Sequence, residues 1–86
     1  MGDDRVQVTL RLFAGARELA GRSSESFEAT TLGELLDRAC VAYGERFEAL
    51  LRSSKVWLNG DQAAGGREQV LRSGDEVAVL PPVSGG

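Results

Sequence analysis

The chain has 86 residues, a length that makes one domain, 1–86, with a modest core and no room for a deep substrate cavity. Its 42% hydrophobic and 27% charged residues are typical of globular proteins, and a net charge of -3 argues against nucleic acid as a partner. The sequence contains no histidine, the commonest general base and metal ligand, so we expect no metal site.

The compartment is indicated by what the sequence lacks. Residues 1–4 are acidic and have no signal-peptide features, and no apolar run approaches the roughly 20 residues of a membrane span. Cys40 is the single cysteine, which excludes an intrachain disulfide. We therefore expect a cytoplasmic protein without a membrane partner, in which Cys40 is a small core residue rather than a nucleophile.

The first elements follow from hydrophobic periodicity. Alternating apolar residues over 6–12 predict a half-buried strand. Residues 14–20 predict a short helical turn ended by Gly21, and residues 24–29 predict a second strand that pairs with the first. Thr31, three residues before Glu34, is typical of a capping box that opens a helix. The apolar stripe that follows from Leu32 ends at Gly44, and residues 47–51 suggest a further short helical piece.

The second half of the chain predicts a return to strands. Residues 55–58 predict a strand closed by the tight turn Asn59–Gly60, and residues 76–80 predict the last strand. We interpret residues 61–67 as a loop and 70–71 as a short edge strand. This order favours an α+β domain in which one main helix packs on one face of a single sheet.

Side-chain parity separates a second set of apolar residues from the core. Phe13, Trp57 and Leu80 point away from the apolar neighbours in their strands. If one helix covers only one face of the sheet, these three side chains form an exposed surface for a partner. The alternative is a bulge or loop that returns them to the core.

The end of the sequence carries its most distinctive chemistry. Pro81 and Pro82 end the last strand and stiffen the backbone, so residues 81–86 should project from the domain. Gly86 then offers an unhindered carboxylate, ionised at pH 7 and able to attack the α-phosphate of ATP. The alternative is a frayed, glycine-rich end or a cloning remnant. No other cluster in the sequence indicates a catalytic site.

Three segments together resemble the MoaD/ThiS sulfur-carrier family, in its molybdopterin-synthesis branch. They are Leu-Phe-Ala-Gly-Ala-Arg-Glu-Leu-Ala-Gly at 12–21, Ser-Gly-Asp-Glu-Val at 73–77 and Pro-Pro-Val-Ser-Gly-Gly at 81–86. The resemblance implies a ubiquitin-like β-grasp fold with a mixed sheet and a projecting Gly-Gly tail. It implies no bound cofactor, and ATP is used by a separate adenylating enzyme related to ubiquitin activators.

The resemblance also implies a role for each site residue. Gly86 would be adenylated, receive sulfur from a donor protein as a thiocarboxylate, and donate it to cyclic pyranopterin monophosphate. The tail residues Pro81, Pro82, Val83, Ser84 and Gly85 would enter a channel in the molybdopterin synthase large subunit, and Phe13 and Leu80 occupy partner-contact positions. The alternatives are a carrier for tRNA thiolation, thiamine or cysteine synthesis, a modifier joined to lysines, or an interaction module without chemistry.

Overall fold

A computed structural model describes residues 4–82, and within that range the elements follow the predicted order except between β3 and β5. The strands are β1 (Val6–Leu12), β2 (Ser24–Ala29), β3 (Lys55–Leu58), β4 (Asp61–Gln62) and β5 (Glu76–Leu80). The helices are α1 (Ala14–Ala20), α2 (Leu32–Tyr43) and α3 (Glu45–Arg52), with a 3₁₀ turn at Gly66–Glu68.

The sheet is mixed, with the strand order β2-β1-β5-β3-β4. β1 pairs in parallel with β5, from Thr9 opposite Glu76 to Leu12 opposite Val79, and every other pairing is antiparallel. The longest helix, α2, connects the β1–β2 hairpin to the later strands. This arrangement is the ubiquitin-like β-grasp, as expected.

The core lies between one face of the sheet and the helices. Its inward side chains on the central strands are Val8, Leu10, Leu12, Val77 and Val79, each at most 1% exposed. Leu35 and Ala39 of α2 and Phe47 of α3 pack against them. Phe47 is the largest fully buried side chain of the described residues, so the short α3 is part of the core.

The start of α2 confirms the predicted cap. The Glu34 backbone N–H donates to Thr31 Oγ1 at 3.3 Å, and the Glu34 carboxylate accepts from the Thr30 backbone N–H at 2.6 Å. The bond from Thr30 is the main cause that holds the pKa of Glu34 below its ordinary value. At the other end, Gly44 takes a φ of 99°, a conformation open mainly to glycine, and the helix ends there.

Two predictions in the second half were wrong. Residues 61–67 are not all loop, because the turn at Asn59 and Gly60, both with positive φ, brings β4 back antiparallel to β3. The predicted edge strand at 70–71 is only an isolated bridge between Thr31 and Val70. That segment crosses the entry to α2, where the Leu71 backbone N–H donates to the Thr30 carbonyl at 2.9 Å.

Candidate functional site

The face of the sheet opposite α2 carries an exposed apolar surface. Phe13 is 40% exposed, Trp57 37% and Leu80 36%. Together with Ala78 they line a depression of about 340 Å³, which we call the open-face patch. The prediction that these three side chains lie at the surface is therefore confirmed. Their role in partner contact stays a prediction.

The register of the central strands explains how the depression forms. Ala78 of β5 lies opposite Arg11 of β1 on one side and opposite Trp57 of β3 on the other. Its small side chain leaves a gap between two large neighbours. Phe13, in extended conformation at the start of α1, closes the same end of the sheet.

A charged pair borders the patch. The Arg11 guanidinium lies 3.4 Å from the Glu76 carboxylate and 5.8 Å from the centroid of the Phe13 ring. Both charged side chains are about half exposed, so the pair contributes only about 0–1 kcal/mol to folding. Sequence reasoning did not identify Arg11 and Glu76 as part of the site. The only available signal was that each alternates with buried residues in its strand.

The Ser-Gly-Asp-Glu-Val motif at 73–77 has a structural role here. The Asp75 carboxylate accepts from the Arg72 backbone N–H at 2.8 Å and from the Asn59 side-chain amide at 3.0 Å. The Asn59 side-chain oxygen accepts from the Glu76 backbone N–H at 2.9 Å. These bonds tie the β3–β4 turn to the start of β5, and so they fix the border of the patch.

The tail begins beside the patch. Because β5 runs parallel to β1, its last residue, Leu80, lies at the end of the sheet from which Phe13 projects. Pro81 is half-buried and Pro82 is exposed. The predicted tail residues Val83, Ser84, Gly85 and Gly86 lie outside the described residues, so the projection of the tail stays a prediction.

No other group between residues 4 and 82 is arranged for chemistry. Cys40 is half-buried against the core, and its burial raises the pKa of the thiol, which disfavours the nucleophilic thiolate. In this range no three acidic or cysteine side chains cluster as metal ligands, and no helix is long and apolar enough to cross a membrane.

Comparison with known proteins gives consistent similarities along almost the whole chain. The ThiS family model matches residues 10–86. The molybdopterin synthase sulfur carrier subunit of Anopheles gambiae is 36% identical over 90 residues, which covers 96% of both chains.

Solved structures show the same fold. The small archaeal modifier protein 1 of Methanosarcina acetivorans has a TM-score of 0.87 and 25% identity, covering 98% of this chain and 100% of that one. A chain in the complex of subunits 1 and 2 of the molybdopterin-converting factor from Helicobacter pylori 26695 has a TM-score of 0.69 and 27% identity, covering 94% of this chain and 100% of that one.

Proposed function

The chain belongs to the ThiS/MoaD family of sulfur carriers, and we propose on that premise that it carries the sulfur used to make molybdopterin. In this proposal the protein has no catalytic site of its own. Gly86 is the reactive residue, and partner enzymes activate and discharge it. The observation that carries the proposal is the open-face patch at the end of the sheet where the tail begins.

The proposed chemistry follows from the terminal carboxylate. In an activating enzyme, a carboxylate oxygen of Gly86 attacks the α-phosphate of ATP and releases pyrophosphate. A persulfide on a donor protein then attacks the acyl carbon and expels AMP, and a second thiol cleaves the resulting acyl disulfide. This cleavage releases the thiocarboxylate and leaves a disulfide between the two thiol sulfurs. The sulfur of this group is more nucleophilic than oxygen, so it can attack a side-chain carbon of cyclic pyranopterin monophosphate and displace an oxygen there. Water then hydrolyses the resulting thioester, which leaves the sulfur on the pterin and returns Gly86 to a carboxylate.

The proposed partner in the last step is the large subunit of molybdopterin synthase. Phe13, Trp57 and Leu80 would dock on that subunit, and residues 81–85 would lead Gly86 into its active site. The similarity to one chain of the two-subunit Helicobacter pylori complex supports this assignment. Exposed apolar side chains next to a tail also suit a partner that buries both together.

The experiment is to give the purified protein ATP, an activating enzyme and a sulfur donor. We expect the intact mass to rise by the exchange of one oxygen for sulfur, and to return to its starting value as molybdopterin forms on addition of the large subunit and cyclic pyranopterin monophosphate. A variant lacking Gly85 and Gly86 is the control. It should keep its thermal unfolding temperature, because a projecting tail buries little surface, and it should not be charged.

A second candidate, a protein modifier, is favoured by the similarity to small archaeal modifier protein 1. In that case the activated Gly86 would form an isopeptide bond with lysines of other proteins. Isopeptide-linked products without molybdopterin formation would establish this alternative. Charging without either product would indicate a carrier for tRNA thiolation, thiamine or cysteine synthesis, and no charging by any activating enzyme would overturn the carrier proposal.

A further inference from the structure

The β2 edge of the sheet has free backbone groups. β2 is an outer strand, and the Leu12 backbone N–H donates to the Ser23 carbonyl at 2.8 Å on its inner side. In an antiparallel pair, hydrogen-bonded and non-hydrogen-bonded residue pairs alternate along the strands. Ser24, Ser26 and Glu28 are therefore in non-hydrogen-bonded pairs with β1, and their N–H and C=O groups point away from β1. Between residues 4 and 82 no other strand pairs with them.

The two edges of the sheet differ in their protection. The opposite edge is β4, which has only two residues and offers little to an added strand. β2 has six residues, Ser-Glu-Ser-Phe-Glu-Ala, without the lysine or proline that commonly prevents pairing at an edge. A strand of this length can accept an extended segment along most of its course.

A groove of about 550 Å³ lies beside this edge, between β2 and α2. Its apolar lining comes from Phe27 of β2 and from Val41 and Ala42 of α2. Val41 is 87% exposed, the highest value among the large hydrophobic side chains of the described residues. An unpaired strand edge next to an apolar groove matches strand addition, in which main-chain bonds form at the edge and alternate side chains enter the groove.

The free edge, rather than the groove, carries a carboxylate without an ion pair among the described residues. The carboxylates on the helix side of β2 and on the facing side of α2 all have arginine partners, with shortest separations of 3.6 Å for Glu25 to Arg22, 3.4 Å for Glu34 to Arg38 and 2.7 Å for Asp37 to Arg67. Glu28 has no ion pair with a described residue, and because it alternates with Phe27 its side chain projects from the face of β2 opposite the groove. A lysine or arginine on that face of an added strand would supply its counter-charge.

We propose that this β2–α2 groove binds an extended segment of a partner protein, with alternating apolar side chains and a flanking lysine or arginine, as an added strand on β2. The groove lies on the helix side of β2, whereas the open-face patch lies on the opposite face of β1, β5 and β3. The two surfaces can therefore be occupied together. The protein can be held through β2 while its tail and open face engage an enzyme.

The probe is a synthetic peptide, acetylated and amidated at its ends, that alternates valine with threonine and carries a lysine at each end. On binding, the exchange of the amide protons of Ser24, Ser26 and Glu28 should slow, while amides that already pair with β1 should change little. Added salt should weaken the complex, because part of the attraction is between lysine and Glu28. The control peptide is N-methylated at every second residue, so that it keeps its side chains but cannot pair with the edge.

Variants separate the edge from the groove. Ser26→Pro removes an N–H that does not bond β1, so the sheet should remain intact, and it should weaken peptide binding by about tenfold or more relative to Ser26→Ala. Val41→Asp places a charge in the groove at a residue that is 87% exposed, and it should weaken peptide binding by a comparable factor while the β2 edge stays unaltered. If Ser26→Pro does not fold, Val41→Asp and the N-methylated peptide still test the proposal.

Several results would overturn the inference. The inference fails if the peptide does not bind, or if the N-methylated peptide binds as tightly as the unmodified one. It also fails if Val41→Asp binds the peptide as tightly as the wild type, or if the amides of Ser24, Ser26 and Glu28 are protected by self-association of the protein without peptide. Sulfur charging of Gly86 is measured in parallel on Ser26→Pro or, if that variant does not fold, on Val41→Asp. In the variant, charging with weakened peptide binding is the expected result. In the wild-type protein, charging without peptide binding defeats only this inference, and peptide binding without charging defeats only the proposed carrier function.

Discussion

Replacement of Phe13 by aspartate tests whether the open-face patch binds the large subunit. A phenylalanine side chain offers about 150–250 Å² of surface, and Phe13 is 40% exposed, so docking can bury about 60–100 Å² more. At about 25 cal/mol per Å² this area contributes roughly 1.5–2.5 kcal/mol, or about 10- to 60-fold in affinity. The aspartate would also place an unpaired charge in the interface, so the observed loss should be at the upper end or beyond.

Titration calorimetry with the large subunit measures this loss, and Val41→Asp is the matched control. Val41 is also an exposed apolar residue, but it lies on α2, away from the patch, so its variant should bind the large subunit like the wild type. Phe13→Asp should lower the unfolding temperature, because the rest of the ring is buried, yet keep a folded circular dichroism spectrum. A folded Phe13→Asp that binds as tightly as Val41→Asp would refute the role of the patch, and an unfolded one would show that Phe13 is a core residue.

Three further predictions concern the fold. Phe47→Ala should lower the free energy of unfolding by about 3–5 kcal/mol in urea titrations, since Phe47 is fully buried, and a loss below about 1 kcal/mol would contradict its place in the core. Thr31→Ala removes the side-chain cap of α2 and should cost about 1 kcal/mol, whereas Thr31→Ser should cost much less; equal losses would show that the hydroxyl is not the stabilising group. Tyr43, the only tyrosine, donates to the Glu25 carboxylate, and burial together with this bond raises the pKa of Tyr43 above its ordinary value. Phenolate absorbance should therefore appear only well above pH 10, and at a lower pH in Glu25→Gln than in the wild type. Because the pKa of Tyr43 is raised in the folded state, its contribution to the free energy of unfolding is present below about pH 10 and is lost as pH rises through the pKa of the folded protein. Titration of Tyr43 in the folded protein at the ordinary pKa of tyrosine would contradict the contact with Glu25.

The sequence predicted the elements whose residues carry a repeating pattern or a cap. β1 and β2 follow from alternation, and α2 begins and ends where Thr31 and Gly44 predict. β4 was missed because both of its residues are exposed and show no apolar alternation; only the preceding turn places them in the sheet. Residues 70–71 have apolar side chains, but Val70 is 61% exposed and packs as a crossing segment rather than a strand.

The candidate site was predictable in part for a similar reason. The face to which a strand residue points depends only on its position along that strand, so alternation was sufficient to separate Phe13, Trp57 and Leu80 from the core. The Arg11–Glu76 pair depends on the parallel register of two strands from opposite ends of the sequence, and no local pattern encodes that register. The free edge of β2 likewise depends on the strand order, which periodicity does not determine.

The central position of β5 makes completion of the sheet a late event in synthesis of the domain. β5 is the last of the described strands along the chain, yet it lies between β1 and β3 and bonds to both. While a ribosome still holds these residues, the early hairpin and α2 lack the strand that joins the two halves of the sheet, so the domain completes its fold only after β5 has emerged. Pro81 follows directly on β5. A nascent chain that has not yet released β5 therefore lacks both the joined sheet and the strand from which Pro81 continues.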